Sequence, residues 1–401
     1  MITIISQPDK FTPAHNPVCF SISSDNYAQP GFYYVVDVYN SNGQILVTQK
    51  FQPPVVGTDP IDIELHMILQ ELVAPNYCRL NQVVSPALVE TGAGMIASYT
   101  VKFGEQYGGT VYANLINTSG YVFNASINYL RFAFYNSTSY LNNRFLTNFP
   151  AQTARKKDSV MLSILQSEDA AITGFNVEIF NLAGNSIYTD TINNPYNSLD
   201  QTSNRALHLH VGFDYLYSQL AFSSTIYNLA AYYTITPEGG QPQRVNLYSQ
   251  CERFPGKRLY FLNELGGFDG FNFMLASQQS QTTERNTYQR QPSNKKTGYD
   301  PASRRFETTT RNYSTSYTEK IKVISDYLSD TESQMLADLM SSPLIYMEAD
   351  AGDYGGAAGQ LILIPVDTKV NDYTIKKTRT DKLFNLELDL ELNYKNFRQV
   401  V

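Results

Sequence analysis

The stretch that organises the chain is Arg258–Phe273, which reads RLYFLNELGGFDGFNF. Its first part, Leu259–Leu262, has the aliphatic and aromatic composition of a buried strand, and Gly266-Gly267 offers the backbone freedom that a tight turn requires. A second aromatic strand, Phe271–Phe273, follows the turn. We therefore expect a structural hairpin that closes one β domain and leads into a different part of the chain, with no residues arranged for catalysis.

Composition favours a β protein whose surfaces are largely covered by partners. The chain has 401 residues, too many for one ordinary hydrophobic core, so we expect two or three domains. Charged residues make up only 17%, whereas there are 30 Tyr, 22 Phe and no Trp, and tyrosine gives contact area at low entropic cost. The net charge of −7 argues against general nucleic-acid binding and leaves room for a local basic patch.

Residues 1–150 are expected to form a first β-sandwich. Asn42-Gly43 predicts a tight hairpin turn, and apolar residues with helical spacing between Leu65 and Leu72 predict a short helix. The segments with strong β propensity are Val18–Ser23, Phe32–Tyr39, Ile45–Phe51, Ser98–Phe103, Val111–Leu115 and Tyr129–Tyr135.

Residues 151–276 have the pattern of a second, related β-sandwich. Val36–Asn40 with Gly43 is echoed by Val177–Asn181 with Gly184, at an offset of 141 residues. Three further pairs occur in the same order, namely Val18–Ile22 with Val160–Ile164, Ala97–Val101 with Ala231–Ile235, and Phe132–Asn136 with Leu259–Asn263. The offset shrinks along the chain, as shorter loops in a second copy would produce. The alternative is chance similarity between hairpins of like composition.

Residues 277–318 are interpreted as a polar basic arm or linker. The segment has almost no aliphatic residues, so it cannot stabilise a fold of its own by burying apolar surface. It is either a mobile surface loop or an arm that becomes ordered across the acidic surface of a neighbouring subunit. The basic candidates for that subunit interface are Arg285, Arg290, Lys295, Lys296, Arg304 and Arg305, and Arg311 is a further basic residue of the segment.

Residues 319–401 are expected to form a β-rich α+β module with one short helix. Ser329 and Glu332 have the spacing of a capping box ahead of that helix. The last predicted strand alternates leucines with acids, so one face is core and the other is a row of carboxylates, which is either solvated or meets a basic partner. The carboxylate row consists of Glu387, Asp389 and Glu391.

No set of residues predicts catalysis, a cofactor or a metal site. His208 and His210 are two apart on a predicted strand, but no third ligand has convincing spacing, so ordinary surface or core histidines are favoured. The Gly352–Gly359 loop lacks the lysine and the helix of a phosphate loop, and no nucleophile elbow is present. The cysteines, expected to be buried thiols, are Cys19, Cys78 and Cys251. We therefore expect a protein that is not an enzyme.

The sequence does not predict a signal for export or for membrane insertion. Met1–Ile5 has no basic region followed by an apolar run, so no signal peptide is expected. No run approaches the roughly 18 apolar residues of a membrane span. The expectation is synthesis in a cytoplasm and no membrane partner.

Three short motifs resemble segments of virion structural proteins from tailed phages that infect Bacteroidetes, including the crAss-like phages. The motifs are Leu259–Asp269 (LYFLNELGGFD), Phe145–Pro150 (FLTNFP), and Tyr327–Ser329 followed by Leu336, Leu339 and Ser341–Leu344. Together they touch both related sandwiches and the C-terminal module. The family is not recognised by catalytic residues, so no site residue is carried over.

The resemblance implies a non-enzymatic, ring-forming subunit of the neck or tail, a head-tail connector stacked between portal and tail tube. Its partners would be copies of itself and other virion proteins (portal, neighbouring ring or tail proteins), with DNA contact only through a central channel. It would be made in the host bacterial cytoplasm and end in the virion. The alternative is a glycan- or receptor-binding tail or adhesin module, against which the absence of Trp weighs mildly. A hydrolase comes last, because no acid pair is recognisable.

Overall fold

The fold is mainly β, with several sheets and a few short helices. The computed structural model describes residues 1–54, 60–75, 87–141, 143–166, 171–248, 254, 256–290, 299–306, 308–368, 374 and 384–398. The chain divides into two compact units, the first holding residues 1–250, 260–271 and 341–343, and the second 251–259, 272–340 and 344–401. Among the described helices, none is both long and apolar enough to cross a membrane.

The first part of unit one is sandwich-like. Its elements are β1 (Ile2–Ser6), β2 (Phe11–Pro13), β3 (Cys19–Ser24), β4 (Tyr33–Asn40), β5 (Ile45–Phe51), β6 (Ile61–Glu64), α1 (His66–Leu69) with a 3₁₀ turn (Gln70–Leu72), β7 (Val89–Thr91), β8 (Ile96–Tyr107), β9 (Thr110–Phe123), α2 (Tyr129–Phe132) and α3 (Ser137–Leu141). One sheet has the order β2-β9-β8-β4-β5 and the other β1-β3-β6. Phe20 of the small sheet packs with Val36 and Phe103 of the large one in a shared core.

The second part of unit one has its own core. Its elements are β10 (Ala151–Ala154), β11 (Met161–Leu165), β12 (Gly174–Asn181), β13 (Ser186–Asn193), a 3₁₀ turn (Thr202–Arg205), β14 (Ala206–His210), α4 (Phe213–Leu220), α5 (Ser224–Leu229), β15 (Ala230–Pro237) and β16 (Gln243–Leu247). The large sheet has the order β10-β16-β15-β12-β13 and the small one β11-β14-β7. Leu207 of the small sheet and Val177 of the large one are fully buried in the same core.

The two large sheets have the same topology. In each, the first strand pairs in parallel with the last, through Phe11 and Tyr121 in one sheet and Ala151 and Arg244 in the other. The other ladders are antiparallel and follow one another in the same order. Equivalent strands therefore occupy equivalent positions in the two halves of unit one.

The hairpins β4–β5 and β12–β13 agree down to individual hydrogen bonds. Gly43 and Gly184 both have positive φ, of 73° and 81°. Each donates its N–H to an asparagine carbonyl three residues earlier, Asn40 or Asn181, at 3.0 Å. These four residues are related by the offset of 141 that the sequence shows.

One pair of the sequence repeat is wrong, because its two members have different secondary structure. Tyr129–Tyr135 is predicted to be a strand, yet α2 occupies its first turn, and residues 259–262 are a strand. The side chain of Asn128 accepts a hydrogen bond from the Leu130 N–H at 3.0 Å and caps the helix. Local capping thus overrides the β propensity of the aromatic residues.

The remaining elements form an eight-stranded sheet, a separate two-stranded pair and one long helix. They are β17 (Lys257–Leu262), β18 (Phe268–Phe273), β19 (Gln278–Gln289), β20 (Tyr299–Asp300), β21 (Arg305–Phe306), β22 (Thr310–Ile324), α6 (Asp330–Ser341), β23 (Ile345–Asp350), a 3₁₀ turn (Ala351–Tyr354), β24 (Leu361–Thr368), β25 (Glu387–Leu392) and β26 (Asn396–Phe397). The sheet has the order β18-β17-β23-β24-β25-β22-β19, with β26 also paired to β22, and β20 and β21 form the separate pair. The opening hairpin thus belongs to this sheet and does not close the second sandwich as a strand pair.

The turn between β17 and β18 is anchored within unit one by a buried polar network. Asp269 is fully buried and accepts hydrogen bonds from Thr147 Oγ1 at 2.5 Å and Gln152 Nε2 at 3.0 Å. Asn263 Nδ2 donates to the Asp269 carboxylate at 2.7 Å, and its Oδ1 accepts from the Gly267 N–H at 3.0 Å. Every polar group of this pair thus acts in positioning the turn, which gives the hairpin a structural role.

Candidate functional site

Unit two contains a long, exposed two-stranded ribbon formed by β19 and β22. The strands pair antiparallel from Gln278 and Lys322 to Gln289 and Thr310. All twelve residues of β19 are exposed. The other edge of β22 pairs with β25 and β26 over residues 316–324, so residues 310–314 have β19 as their one strand partner within the described part of the chain.

Among the residues described, the predicted arm contains two paired strands, and it buries no apolar core of its own. Threonine and tyrosine favour strands, and backbone hydrogen bonds between two polar strands form a ribbon that has no core. An ion pair at its base supports it, since Lys395 Nζ lies 2.8 Å from Glu284 Oε2 and lowers the pKa of that carboxyl group. A pattern search for buried apolar faces does not detect such a ribbon.

The basic candidates lie along this ribbon and its tip. Arg285 is on β19, Arg290 follows its end, and Arg304 and Arg305 lie at the short β20–β21 pair. All four side chains are exposed, as is Arg311 on β22. Lys295 and Lys296 fall outside the described residues. The segment 277–318 has seven basic and three acidic residues, a net +4 within a chain of −7, so the rest of the chain carries −11.

The carboxylate row is on β25, as the alternating pattern predicts, but lysines of the same sheet face it. Lys322 Nζ lies 2.6 Å from Glu387 and Lys320 Nζ lies 3.7 Å from Glu391. Asp389 is directly opposite Lys322 in the ladder. Glu387 raises the pKa of Lys322, and Asp389 adds to that effect. This chain thus neutralises much of its own carboxylate row, which weakens it as an acceptor for a second copy.

His208 and His210 lie on β14 and are both buried, so they are core histidines. His208 Nδ1 is 2.8 Å from Ser163 Oγ, and no sequence motif predicts this pair. Burial lowers the pKa of His208 to about 4, with a contribution from the neighbouring His210. His210 Nε2 is 3.8 Å from the Glu90 carboxylate. Buried Ser163 is closed to substrates, so the serine–histidine pair is structural.

No metal cluster is found among the described residues, because no three histidine, cysteine or acidic side chains converge there. Cys19 is exposed at the start of β3, so the expectation of a buried thiol is wrong for this cysteine. Its side chain precedes the first inward-facing position of the strand, where Phe20 is buried. Partial burial raises the pKa of the Cys19 thiol, and Glu64 and Asp62 add to the shift. Cys78 and Cys251 fall outside the described residues.

A pocket of about 350 Å³ lies in unit one, beside the anchored turn. Its wall combines aromatic rings with charged and amide groups, an arrangement common in ligand sites. The residues that matter here are Arg131, Phe134, Tyr135, Tyr140, Arg144 and Glu264. Sequence reasoning does not detect this pocket, because its residues come from segments far apart in the chain, and Tyr129–Tyr135, which supplies part of the wall, is predicted to be a strand.

The pocket wall has two positively charged side chains, Arg131 and Arg144, and one negatively charged side chain, Glu264. Arg131 donates a hydrogen bond to Glu264, which also accepts from Asn148 Nδ2 at 3.0 Å. Arg144 lies 5.5 Å from the centre of the Tyr140 ring, a cation–π distance. Burial raises the pKa of the Tyr140 hydroxyl, while the nearby Arg144 opposes that effect. Tyr140 therefore stays protonated at any physiological pH.

Comparison with known proteins adds no family. No protein-family model matches the chain, and no curated protein matches it either.

Proposed function

We propose that the chain is a non-enzymatic structural subunit of a tailed-phage particle, which forms a ring in the neck or tail and assembles through its β domains and its extended ribbon. The observation that carries the proposal is the exposed β19–β22 ribbon. An isolated two-stranded ribbon is marginally stable in water, so a surface of this length is best explained by a partner that covers it.

Charge favours a second copy as that partner. The ribbon segment is basic, whereas the remainder of the chain is acidic, so the ribbon of one copy is attracted to the body of the next. A contact between two different patches of identical chains is heterologous and closes into a ring when the rotation between copies allows it. Partners in the particle would then be further copies, the portal, and neighbouring ring or tail proteins.

The motifs Leu259–Asp269, Phe145–Pro150 and Tyr327–Ser329 support the phage part of the proposal by resemblance. The related halves of unit one support the assembly part, because repeated sandwiches with edge strands offer repeated contact surfaces. The carboxylate row on β25 is a secondary acceptor, since Lys320 and Lys322 already face it.

A ribbon-shortened chain tests the proposal. Arg285 and Thr315 face each other in the ladder, so replacing residues 286–314 by Asn-Gly closes the ribbon with a tight turn and keeps the base intact. Mass photometry and negative-stain microscopy of the full-length chain should show rings, which the shortened chain fails to form. A wild-type chain that stays monomeric and binds a glycan on an array would overturn the proposal.

Charge variants supply the matched control. Replacing Arg290, Arg304 and Arg305 by glutamine should weaken assembly and reduce its sensitivity to salt. Replacing Lys50 and Arg244, two exposed basic residues of the sandwiches, should leave assembly unchanged. Equal effects of the two sets would contradict a specific role for the ribbon.

A further inference from the structure

The pocket beside the anchored turn contains a polar group that has no partner within the described part of the chain. The Tyr140 hydroxyl oxygen has less than 1 Å² of solvent-accessible surface, so a ligand atom reaches it only with a small shift of this side chain, and no described residue forms a hydrogen bond with it. The adjacent Tyr135 hydroxyl, by contrast, donates to the Phe11 carbonyl at 2.6 Å. Buried hydroxyl groups nearly always have a partner, so an unpaired one in a pocket wall indicates a position where a ligand atom binds.

The charged side chains of the pocket share its wall with Tyr140. They are Arg131, Arg144 and Glu264, and the Arg144 guanidinium lies 5.5 Å from the centre of the Tyr140 ring. Arg131 and Glu264 form an ion pair and neutralise each other. Arg144 has no acidic partner among the described residues, and its guanidinium lies over the Tyr140 ring. The pocket therefore has one uncompensated positive charge next to one unused hydrogen-bond donor.

We propose that this pocket binds a carboxylate group, with the Arg144 guanidinium and the Tyr140 hydroxyl as its two donors. The planar guanidinium matches the two oxygens of a carboxylate, and a protonated hydroxyl can donate to either of them. The exposed ring of Phe134 and the ring of Tyr135 offer an apolar wall for the hydrocarbon part of the ligand. The volume of about 350 Å³ limits the occupant to one small molecule or one side chain.

Other ligand chemistries fit the pocket less well. A phosphate monoester carries close to two negative charges, and the Glu264 carboxylate in the wall would repel the second. A neutral sugar would leave Arg144 without a counter-charge. A single carboxylate matches the net charge of the pocket. Two sources can supply it, a uronic acid unit of a saccharide or an aspartate or glutamate side chain of a protein.

Calorimetric titration of the full-length chain separates the two sources. Galacturonate is compared with galactose, and N-acetylglutamate amide with N-acetylglutamine amide, so that each acid has a neutral analogue of the same shape. We expect heat of binding with at least one acid and with neither neutral analogue. If neither acid binds, or if a neutral analogue binds equally well, the proposal is overturned.

Two substitutions locate the site. Arg144→Gln should weaken binding of the acid by about tenfold or more, because the charged hydrogen bond is lost. Tyr140→Phe should weaken it by roughly threefold to tenfold, yet raise the melting temperature of the free chain, because an unpaired buried hydroxyl is removed. Arg285→Gln, on the ribbon of unit two, is the control and should leave binding unchanged. A Tyr140→Phe chain that binds normally, or is destabilised, contradicts the assigned role.

Discussion

Asn263 and Asp269 hold the two ends of the Gly266-Gly267 turn together, with Asn263 Nδ2 donating to the Asp269 carboxylate at 2.7 Å. The same carboxylate accepts hydrogen bonds from Thr147 and Gln152, so each of these three partners is a donor. A buried carboxylate with several donors is stable only as long as each donor meets an acceptor.

Asp269→Asn should therefore destabilise unit one although it preserves size and shape. The new amide NH₂ group meets a donor where an acceptor was required, and we expect a loss of about 2–4 kcal/mol in the free energy of unfolding. Urea denaturation measures it. Asp25→Asn, at a side chain that is 91% exposed, is the control and should change stability by less than about 0.5 kcal/mol. Equal stability of the two variants would contradict the role of Asp269.

Substitutions at Gly266 and Gly43 separate two costs of adding a side chain, namely the steric clash of the new Cβ with a neighbouring segment and the strain of a positive φ. Both have positive φ, but a Cβ at Gly266 would lie 2.0 Å from the Asn124 carbonyl oxygen, whereas a Cβ at Gly43 meets nothing within 4 Å. Gly43→Ala should cost about 1 kcal/mol from strain alone. Gly266→Ala should cost at least about 3 kcal/mol, because the neighbouring loop must also move. Thermal unfolding tests this, and similar losses would show that the approach is tolerated.

Acid should destabilise the second half of unit one through His208. Its pKa falls from 6.5 to about 4 on folding, so between these pH values the unfolded chain binds more protons than the folded chain. Stability from this group is thus fully present above pH 6.5 and decreases by about 3 kcal/mol as the pH falls to 4. His210 and the nearby Glu90 also affect how steeply the free energy of unfolding changes with pH.

Unfolding free energies measured from pH 7.5 to 4 check the histidine prediction. His208→Asn should reduce the pH dependence in this window, since asparagine can still accept a hydrogen bond from Ser163 but does not titrate. Ser41→Ala, at an exposed side chain that does not titrate, is the control and should leave the pH profile unchanged. If His208→Asn has the wild-type profile, protonation occurs elsewhere.

The start of α6 should depend on Ser329. Its Oγ accepts a hydrogen bond from the Glu332 N–H at 3.3 Å, and Glu332 accepts from the Ser329 N–H at 3.0 Å. Ser329→Ala should cost unit two about 1 kcal/mol, because the reciprocal cap is lost. Circular dichroism during urea unfolding measures the change. Ser329→Asp, which can still cap, should recover most of it.

Features with a local chemical cause could be predicted from sequence. The capping box at Ser329, the turn glycines Gly43 and Gly184, and the alternation that buries Leu388 on β25 all depend on residues near in the chain. Each of these features is determined by residues close in sequence, so it does not depend on how distant parts of the chain pack.

Features that depend on distant residues could not be predicted. The Ser163–His208 pair joins residues 45 apart, and the pocket collects Arg131, Tyr140 and Glu264 from separate segments. The ribbon was missed for another reason, since its strands are stabilised by backbone pairing between polar residues and carry no apolar face. Periodicity detects cores, and neither the ribbon nor the pocket is a core.

Strand β7 belongs to the first half of unit one but pairs with β14 of the second half, so the two halves depend on each other during folding as well as in the folded structure. Its residue Glu90 pairs with His208 on β14, so an early part of the chain completes a sheet whose other strands are synthesised much later. During translation β7 stays unpaired until the second half of unit one has been synthesised. Its pairing with β14 is expected to be slow, because the two strands are far apart in sequence. A break at residue 150 would therefore yield one fragment with an orphan strand and another with an uncovered sheet edge.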